Sequence, residues 1–250
     1  MTALRFRTAL FALAPLALML AACGSSEGES GLPKGEAIAK IAPPAGKAWV
    51  DVIEETPDGG MRMGNPEAPI KLVEYGSLSC PGCAKLAQEG FAPLTTNYVA
   101  SGRVSFEFRS FAIHPQDVPL TVLVRCSSKE AFFPLVEQIY TNFDAINAPY
   151  NDQATMDRAT ATMQLAPEQR WSAFAETVGY TQFFAQRGVA VDQARACLAD
   201  LPKAKQVADY AQKYGADGVT GTPTLKINGT KLEDSSWKAL EVALQNAGAR

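Results

Sequence analysis

The chain has 250 residues, 47% of them hydrophobic, which is enough to bury the core of one large domain or two small ones. Its net charge at pH 7 is −3, and no run of five or six basic residues occurs. This balance excludes nucleic acid as an expected partner.

The first 22 residues have the pattern of an export signal. Arg5 and Arg7 form a short basic region, and residues 9 to 22 form an uninterrupted apolar stretch. A membrane-spanning helix needs about 20 apolar residues, so this stretch is too short for a permanent span. Its end, Leu20-Ala21-Ala22-Cys23, resembles a bacterial lipobox. That resemblance implies cleavage before Cys23 and a diacylglycerol on its sulfur; the alternative is an ordinary signal peptide with an incidental cysteine.

Residues 23 to 48 are predicted to be a lipidated, flexible tether. They are rich in Gly, Ser, Pro and charge and hold few large apolar groups, so burial cannot offset the entropy of ordering them. Ordered structure is expected to begin near residues 49 to 53, which could form a short strand. Turn signals follow at residues 57 to 60 and 64 to 66.

A strand, a helix and a second strand are predicted next. Residues 70 to 75 are an apolar run between Pro69 and Gly76, as in a buried strand. A helix is expected from Cys80 to about residue 100, with Pro81 suited to its first turn. Residues 103 to 111 alternate apolar and polar side chains, which is typical of a strand. This order predicts a parallel pair of strands joined by a crossover helix.

The next hundred residues show helical patterns and almost no strand signal. The predicted helices cover residues 118 to 127, 130 to 143, 152 to 164, 167 to 186, 192 to 199 and 203 to 214. Strand character returns at residues 223 to 227, followed by the hairpin signal Asn228-Gly229 and a return strand from Lys231. Residues 235 to 247 close the chain as an amphipathic helix. The predicted class is therefore α/β, with the order βαβ, an inserted helical domain over residues 117 to 215, and ββα.

Two cysteines stand where the first predicted strand passes into its helix, as Cys80-Pro81-Gly82-Cys83. Backbone N–H groups at a helix start favour a thiolate there, and the thiolate is the nucleophile of disulfide exchange. Cys80 is therefore predicted to be the exposed attacking sulfur. Cys83, one turn inside the helix, is predicted to be the buried resolving sulfur.

Three other functions of this cysteine pair are less favoured. A zinc site needs four ligands, whereas this chain has one histidine and no second CxxC, so no metal is expected. A purely structural bridge across four residues constrains the unfolded chain little. A cysteine hydrolase needs a histidine base, whereas His114, followed by Pro115 on a loop, is interpreted as a turn residue. Redox chemistry is the favoured function, and no cofactor is expected.

Two further features support redox chemistry. Alternation along the first strand turns Glu74 towards the interior, where its raised pKa would let it exchange a proton with Cys83. The alternative is an edge glutamate that faces solvent. Thr222-Pro223 opens the later strand, where a proline is allowed for ordinary reasons; beside a disulfide, a cis bond is also plausible there.

Together these residues resemble the DsbA-like branch of the thioredoxin superfamily over about residues 60 to 248. The resemblance is carried by residues 64 to 69 (GNPEAP), Leu72-Val73-Glu74-Tyr75, Cys80-Pro81-Gly82-Cys83 and residues 221 to 224 (GTPT). It implies a thioredoxin fold formed by residues 49 to 116 and 216 to 250, with the helical domain inserted.

The resemblance also implies roles. Cys80 would be the nucleophile, Cys83 its partner and Glu74 the buried acid, while Thr222 and the cis-proline Pro223 would contact substrate beside Pro81 and Gly82. The best-known members carry Pro-His between the cysteines, so Pro-Gly here implies a less extreme oxidant. Threonine before the cis-proline also occurs in isomerase relatives, which leaves the direction of electron flow open.

Cys126 and Cys197 remain after the CxxC pair and Cys23 are assigned. In an oxidising compartment they are expected to form a structural disulfide, and the alternative is two buried free thiols. Alpha-proteobacterial members of the family resemble this chain in having such a second bridge.

The expected function is a periplasmic, lipid-anchored oxidase that passes its disulfide to reduced or misoxidised exported polypeptides. The expected partners are those polypeptides, the bilayer through Cys23, and a membrane redox partner that resets the active-site disulfide; a monomer is expected. One alternative is an isomerase or reductase of the same fold. Isomerases of this family carry a dimerisation domain ahead of the core, for which residues 24 to 48 are too short and too polar. The other alternative is a non-catalytic binding lipoprotein, for which neither Glu74 nor Thr222-Pro223 would be needed.

Overall fold

The computed structural model describes residues 34–250. The predicted export signal and the predicted lipidation of Cys23 lie outside this range. Within it, no helix has both the length and the apolar character that crossing a bilayer requires. The strands are β1 (Ile53–Glu55), β2 (Met61–Gly64), β3 (Ile70–Gly76), β4 (Val104–Ser110), β5 (Thr224–Ile227) and β6 (Thr230–Lys231). The helices are α1 (Pro81–Pro93), α2 (Asp117–Val124), α3 (Phe132–Thr141), α4 (Phe143–Asn147), α5 (Gln153–Ala161), α6 (Pro167–Thr177), α7 (Tyr180–Ala185), α8 (Val191–Ala199), α9 (Leu201–Ala216) and α10 (Trp237–Asn246).

These strands form one sheet in the order β1-β2-β4-β3-β5-β6. β3 and β4 are parallel over their whole length, from Ile70 opposite Val104 to Gly76 opposite Ser110, and every other pair is antiparallel. The predicted crossover unit is confirmed, because α1 joins the two parallel strands. The predicted βαβ, helical insertion and ββα order is also confirmed. Asn228 and Gly229 both have positive φ, as a two-residue hairpin between β5 and β6 requires.

The sheet separates two packed layers. Ile70, Leu72 and Glu74 are buried on the same face of β3, because successive side chains of a strand point to opposite sides. On that face α1 packs between α3 and α10. On the other face Tyr75 packs edge-to-face on Tyr214 of α9, with ring centroids 5.1 Å apart. The CxxC-bearing helix therefore packs on one face of the sheet, and α9 covers part of the other.

The helical insertion differs from its prediction at two points. The pattern over residues 167 to 186 forms two helices, α6 and α7, because the chain turns at Gly179, whose φ of +82° favours glycine. The short α4 was not predicted as a separate helix.

The long predicted helix from Cys80 is α-helical to Pro93 and continues as a π-helix over Leu94–Val99.

The region before β3 contains more structure than its turn residues suggest. The prediction of a strand over residues 49 to 53 is wrong for the first of these residues. Trp49–Asp51 is a 3₁₀ helix with a buried Trp49, and the strand begins only at Ile53. β2 was not predicted, since its four residues lie between two clusters of Gly and Pro. It nevertheless pairs with both β1 and β4.

The prediction of a flexible tether up to residue 48 is wrong for residues 35 to 41. We call this segment the N-terminal strap. Gly35 N–H donates to the carbonyl of Asn246, the last residue of α10, at 2.7 Å, and Ile38 N–H donates to Gly248 O, just after that helix, at 2.9 Å. Ile41 N–H donates to Ser101 O, just before β4, at 2.9 Å. Backbone hydrogen bonds fix this polar segment, so it needs little apolar burial of its own.

Cys126, just after α2, and Cys197 of α8 are joined by a disulfide. Replacing both by alanine is expected to lower the free energy of unfolding by about 2–4 kcal/mol, because the closed loop is long. The measurement is urea unfolding of the oxidised protein, with the variant and the wild type compared by circular dichroism. An unchanged unfolding midpoint would show that the bridge contributes nothing in solution.

Candidate active site

The CxxC segment lies at the start of α1. Cys80 is the N-cap residue in an extended conformation, with φ −88° and ψ 123°, and Pro81 takes the first helical position. The Cys80 carbonyl accepts the first helical hydrogen bond, from Ala84 N–H at 3.1 Å. Cys83 is fully buried, with 0% exposure. Cys80 was expected to be exposed, but only 7% of its surface is accessible because the loop before β5 covers it.

The surroundings of Cys80 favour its thiolate. Its pKa is lowered to about 5, chiefly by the hydrogen bond that the Cys83 thiol donates to its sulfur. Burial opposes this effect, whereas a hydrogen bond from Thr222 and the backbone N–H groups of Cys83 and Gly82 add to it. The N–H contributions are those predicted from the helix start. When protonated, the thiol lies 3.4 Å from the Thr222 carbonyl oxygen, which accepts its hydrogen.

Cys83 has the opposite character. Burial raises the pKa of its thiol far above the ordinary value, and both its hydrogen bond to Cys80 and the charge of Glu74 raise it further. Two sulfurs three residues apart therefore differ strongly in acidity. The first ionises readily, while the second keeps its proton.

Glu74 is buried, with 6% exposure, on the face of β3 that the alternation predicted. Burial, and secondarily the charge of Cys80, raises the pKa of its carboxyl to about 8. Its Oε1 has no hydrogen-bond partner among the described residues and borders a cavity of about 30 Å³. The cavity walls are otherwise mostly apolar side chains of β3, β4, α1, α3 and α10. Such a volume is enough for an ordered water.

The Thr222–Pro223 peptide bond is cis and lies against the CxxC segment. A Cβ added to Gly82 would come within 3.1 Å of Pro223 Cδ and 3.7 Å of Cys80 Sγ, so the dipeptide between the cysteines and the proline are in close contact. Ser235 Oγ donates to Pro223 O at 2.9 Å from the loop before α10. The structure thus brings together Cys80, Cys83, Glu74, Thr222, Pro223, Pro81 and Gly82. The Cys126–Cys197 bridge lies in the helical insertion, away from this group.

A buried carboxylate missed by the sequence analysis supports the loop that leads into Cys80. Asp117, with 1% exposure, accepts hydrogen bonds from Ser77 Oγ at 2.9 Å and from Ser79 N–H at 3.0 Å. It also accepts from the N–H groups of Ile113 and His114, both at 3.0 Å. The only signal in the sequence is an acid directly before the apolar run of α2, where it could satisfy unpaired backbone donors.

His114 was interpreted as a turn residue. It does lie on a loop, between β4 and α2, but its Nδ1 is 3.0 Å from the hydroxyl of Ser79, the residue before Cys80. The turn interpretation is correct, but the sequence does not show that this turn contacts the residue before the nucleophile. The two loops are 35 residues apart in the chain, and only the parallel pairing of β3 with β4 brings their ends together.

Replacing Asp117 by alanine is expected to lower the free energy of unfolding by about 3 kcal/mol, since two buried and two partly buried donors lose their acceptor. Asparagine keeps one acceptor oxygen, so a loss of about 1–2 kcal/mol is expected for it. Urea unfolding of the three oxidised proteins measures the difference. Equal midpoints for the wild type and the alanine variant would contradict the assigned role.

Comparison with known proteins agrees with this geometry. The sequence model of the family described as Thioredoxin matches residues 56–246. A "Putative protein-disulfide oxidoreductase" of Rickettsia bellii (strain RML369-C) is 24% identical over 194 residues, which cover 76% of this chain and 65% of the relative. A putative protein-disulfide oxidoreductase of Rickettsia prowazekii (strain Madrid E) is 23% identical over 194 residues, which cover 76% of this chain and 62% of that relative. The chain therefore spans about two thirds or less of these relatives' length.

Solved structures extend the comparison. A protein-disulfide isomerase from Novosphingobium aromaticivorans superposes with a TM-score of 0.68 at 26% identity, covering 74% of this chain and 94% of that one. Wolbachia pipientis alpha-DsbA1 superposes with a TM-score of 0.53 at 20% identity, covering 77% and 92%, which shows a shared fold. The cysteine pair at a helix start, the cis-proline and the inserted helices thus agree with the sequence match, and the chain belongs to the thioredoxin family.

Proposed function

We propose that this protein is a thiol–disulfide oxidoreductase that introduces disulfides into exported polypeptides through Cys80 and Cys83. The observation that carries the proposal is the contrast between the two thiols at one helix start. The pKa of Cys80 is lowered to about 5, chiefly by the hydrogen bond from Cys83, while burial keeps Cys83 protonated.

The reaction starts from the Cys80–Cys83 disulfide. A substrate thiolate attacks Cys80 Sγ, a bond forms between these sulfurs, and the bond between Cys80 and Cys83 breaks. The electron pair stays on Cys83, which takes up a proton. Glu74 can supply that proton near neutral pH, because burial raises the pKa of its carboxyl to about 8.

A second substrate thiolate then attacks the substrate sulfur of the mixed disulfide. The substrate disulfide forms, and Cys80 leaves as a thiolate. A thiol of low pKa is a good leaving group, so the acidity of Cys80 favours this step. The substrate loses two electrons and the enzyme gains them. Thr222 and Pro223, with Pro81 and Gly82, are assigned to the surface that the substrate contacts, because they surround Cys80 Sγ.

The same site would serve an isomerase or a reductase of this fold. The depressed pKa of Cys80 supports the oxidase, because stabilising the thiolate stabilises the reduced enzyme and so makes its disulfide a stronger oxidant. A non-catalytic binding lipoprotein would need neither two thiols of such different acidity nor a buried acid beside them.

The protein is assigned to the periplasm, held on a membrane by lipid on Cys23 and working as a monomer. The export signal and the lipobox-like Leu20-Ala21-Ala22-Cys23 support this assignment. A membrane redox partner would return the reduced pair to the disulfide. Replacing Cys23 by alanine is expected to move the mature protein from the membrane to the soluble periplasmic fraction. Metabolic labelling with radioactive palmitate checks the lipid directly, and labelling that survives the replacement would contradict the assignment.

The reduction potential of the Cys80–Cys83 pair tests the proposed direction. We expect a value between about −120 and −180 mV, the range of oxidants and isomerases. Equilibration with glutathione, followed by mass spectrometry of alkylated thiols, measures it. The protein with alanine at both Cys126 and Cys197 is the matched control, since it contains only the pair of interest in its mature domain. A value below about −250 mV would instead establish a reductant.

A further inference from the structure

The single histidine of this 250-residue chain has no part in the reaction proposed above, yet it lies beside the active-site loop. His114 Nδ1 is 3.0 Å from Ser79 Oγ, and its side chain is 47% exposed. Ser79 itself is buried and directly precedes Cys80. The ring therefore connects solvent to the residue before the nucleophile.

The direction of the Ser77–Asp117 hydrogen bond in this network is fixed. A carboxylate only accepts, so Ser77 Oγ donates its hydrogen to Asp117, at 2.9 Å from both oxygens. Ser77 Oγ lies 3.3 Å from Ser79 Oγ and is left to accept from it. Ser79 Oγ has one hydrogen, which it can donate either to Ser77 Oγ or to an unprotonated Nδ1 of His114, whereas a charged ring donates from Nδ1 to Ser79 Oγ.

Charge on the imidazole acts on the Cys80 loop by two short routes. One runs through Ser79 to the next residue, Cys80, whose own N–H donates to Ser77 O at 3.2 Å. The other is the approach of Nδ1 to Asp117 Oδ2 at 3.9 Å. The titratable groups placed against the ring are thus Asp117 on α2 and, beyond Ser79, Cys80 at the start of α1. A positive ring would complement both anions.

We propose that His114 is a positioning residue for Cys80, which through Ser79 makes the stability of the Cys80 thiolate depend on the charge of the imidazole. The proposal rests on the proposed function, since it takes Cys80 as the nucleophile. Histidine changes charge between about pH 5 and pH 8, so the protein would be a stronger oxidant in mildly acidic surroundings than its sulfur chemistry alone provides.

Three variants test the proposal, with the equilibrium constant for disulfide exchange with glutathione measured at about pH 5.5 and pH 8. His114→Asn keeps an amide near the position of Nδ1 that can donate to Ser79 but cannot be charged. At the lower pH its equilibrium constant is expected to show a disulfide at least about threefold less oxidising than that of the wild type. At the higher pH the two equilibrium constants are expected to be equal. Ile113→Ala, at the exposed neighbour in the same loop, is expected to match the wild type at both.

Ser79→Ala tests the route. In its background the effect of His114→Asn is expected to be clearly smaller, because the direct link from the ring to the residue before Cys80 is broken and only the approach to Asp117 remains. The proposal is overturned if His114→Asn equals the wild type at both pH values, if its loss is the same at both, or if its effect is undiminished in the Ser79→Ala background. Failure of the proposed function would look different, since the wild type itself would not exchange its disulfide with glutathione.

Discussion

Serine at position 80 is expected to reduce the oxidation of a reduced, unfolded protein to the uncatalysed rate. The serine hydroxyl cannot form the disulfide that Cys80 Sγ exchanges. The other free thiol in the described part of the chain, Cys83, is fully buried and cannot replace it. The measurement is the loss of substrate thiols with time, with glutathione disulfide as the terminal oxidant.

Two matched variants complete this experiment. Serine at position 83 leaves Cys80 able to form a mixed disulfide but removes the sulfur that resolves it, so a covalent enzyme–substrate complex is expected on a non-reducing gel. Alanine at both Cys126 and Cys197 is expected to leave turnover intact, because that bridge lies in the helical insertion. Full turnover with serine at position 80 would instead favour the binding lipoprotein.

The reduction potential is expected to fall by about 30 mV for each pH unit above pH 5 and by about 59 mV below it. Reduction adds two electrons. Above pH 5 only Cys83 takes up a proton, because the pKa of Cys80 is lowered to about 5, chiefly by its hydrogen bond from Cys83. Below pH 5 both thiols take up protons. The thiolate's contribution to the stability of the reduced fold is fully present above the ordinary thiol value of 9.0 and is lost as the pH falls towards 5.

The cause of the shift can be tested at Cys83. Alanine there removes the hydrogen bond that contributes most to lowering the pKa of Cys80, so the thiolate absorbance should titrate at clearly higher pH. Serine keeps a donor in the same place and should leave the titration closer to that of the wild type. Identical curves for the two variants would show that the Cys83 thiol is not the main cause.

The fold was predictable where local sequence decides it. The alternation in β3 predicts the buried side of Glu74, the Cys-Pro-Gly-Cys segment marks the start of α1, and Asn228-Gly229 marks the last hairpin. Each of these signals lies within a few residues of the feature that it predicts. The order βαβ, helical insertion and ββα follows from such signals.

The remaining features depend on contacts between distant residues. Ser77 and Asp117 are 40 residues apart, and nothing local to either shows that a hydroxyl will meet a carboxylate. β2 has only four residues and exists because β1 and β4 pair with it. The accessibility of Cys80 was misjudged for the same reason, since Thr222, which covers it, is 142 residues away.

The N-terminal strap has a mechanical consequence. It is fastened before the start of β4 and after the end of α10, while Cys80 follows the opposite end of β3, which runs parallel to β4. Seven residues of strand separate these two poles by roughly 20 Å. Any pull on the leading residues is therefore taken up at the end of the sheet opposite to the one that carries the reactive sulfur.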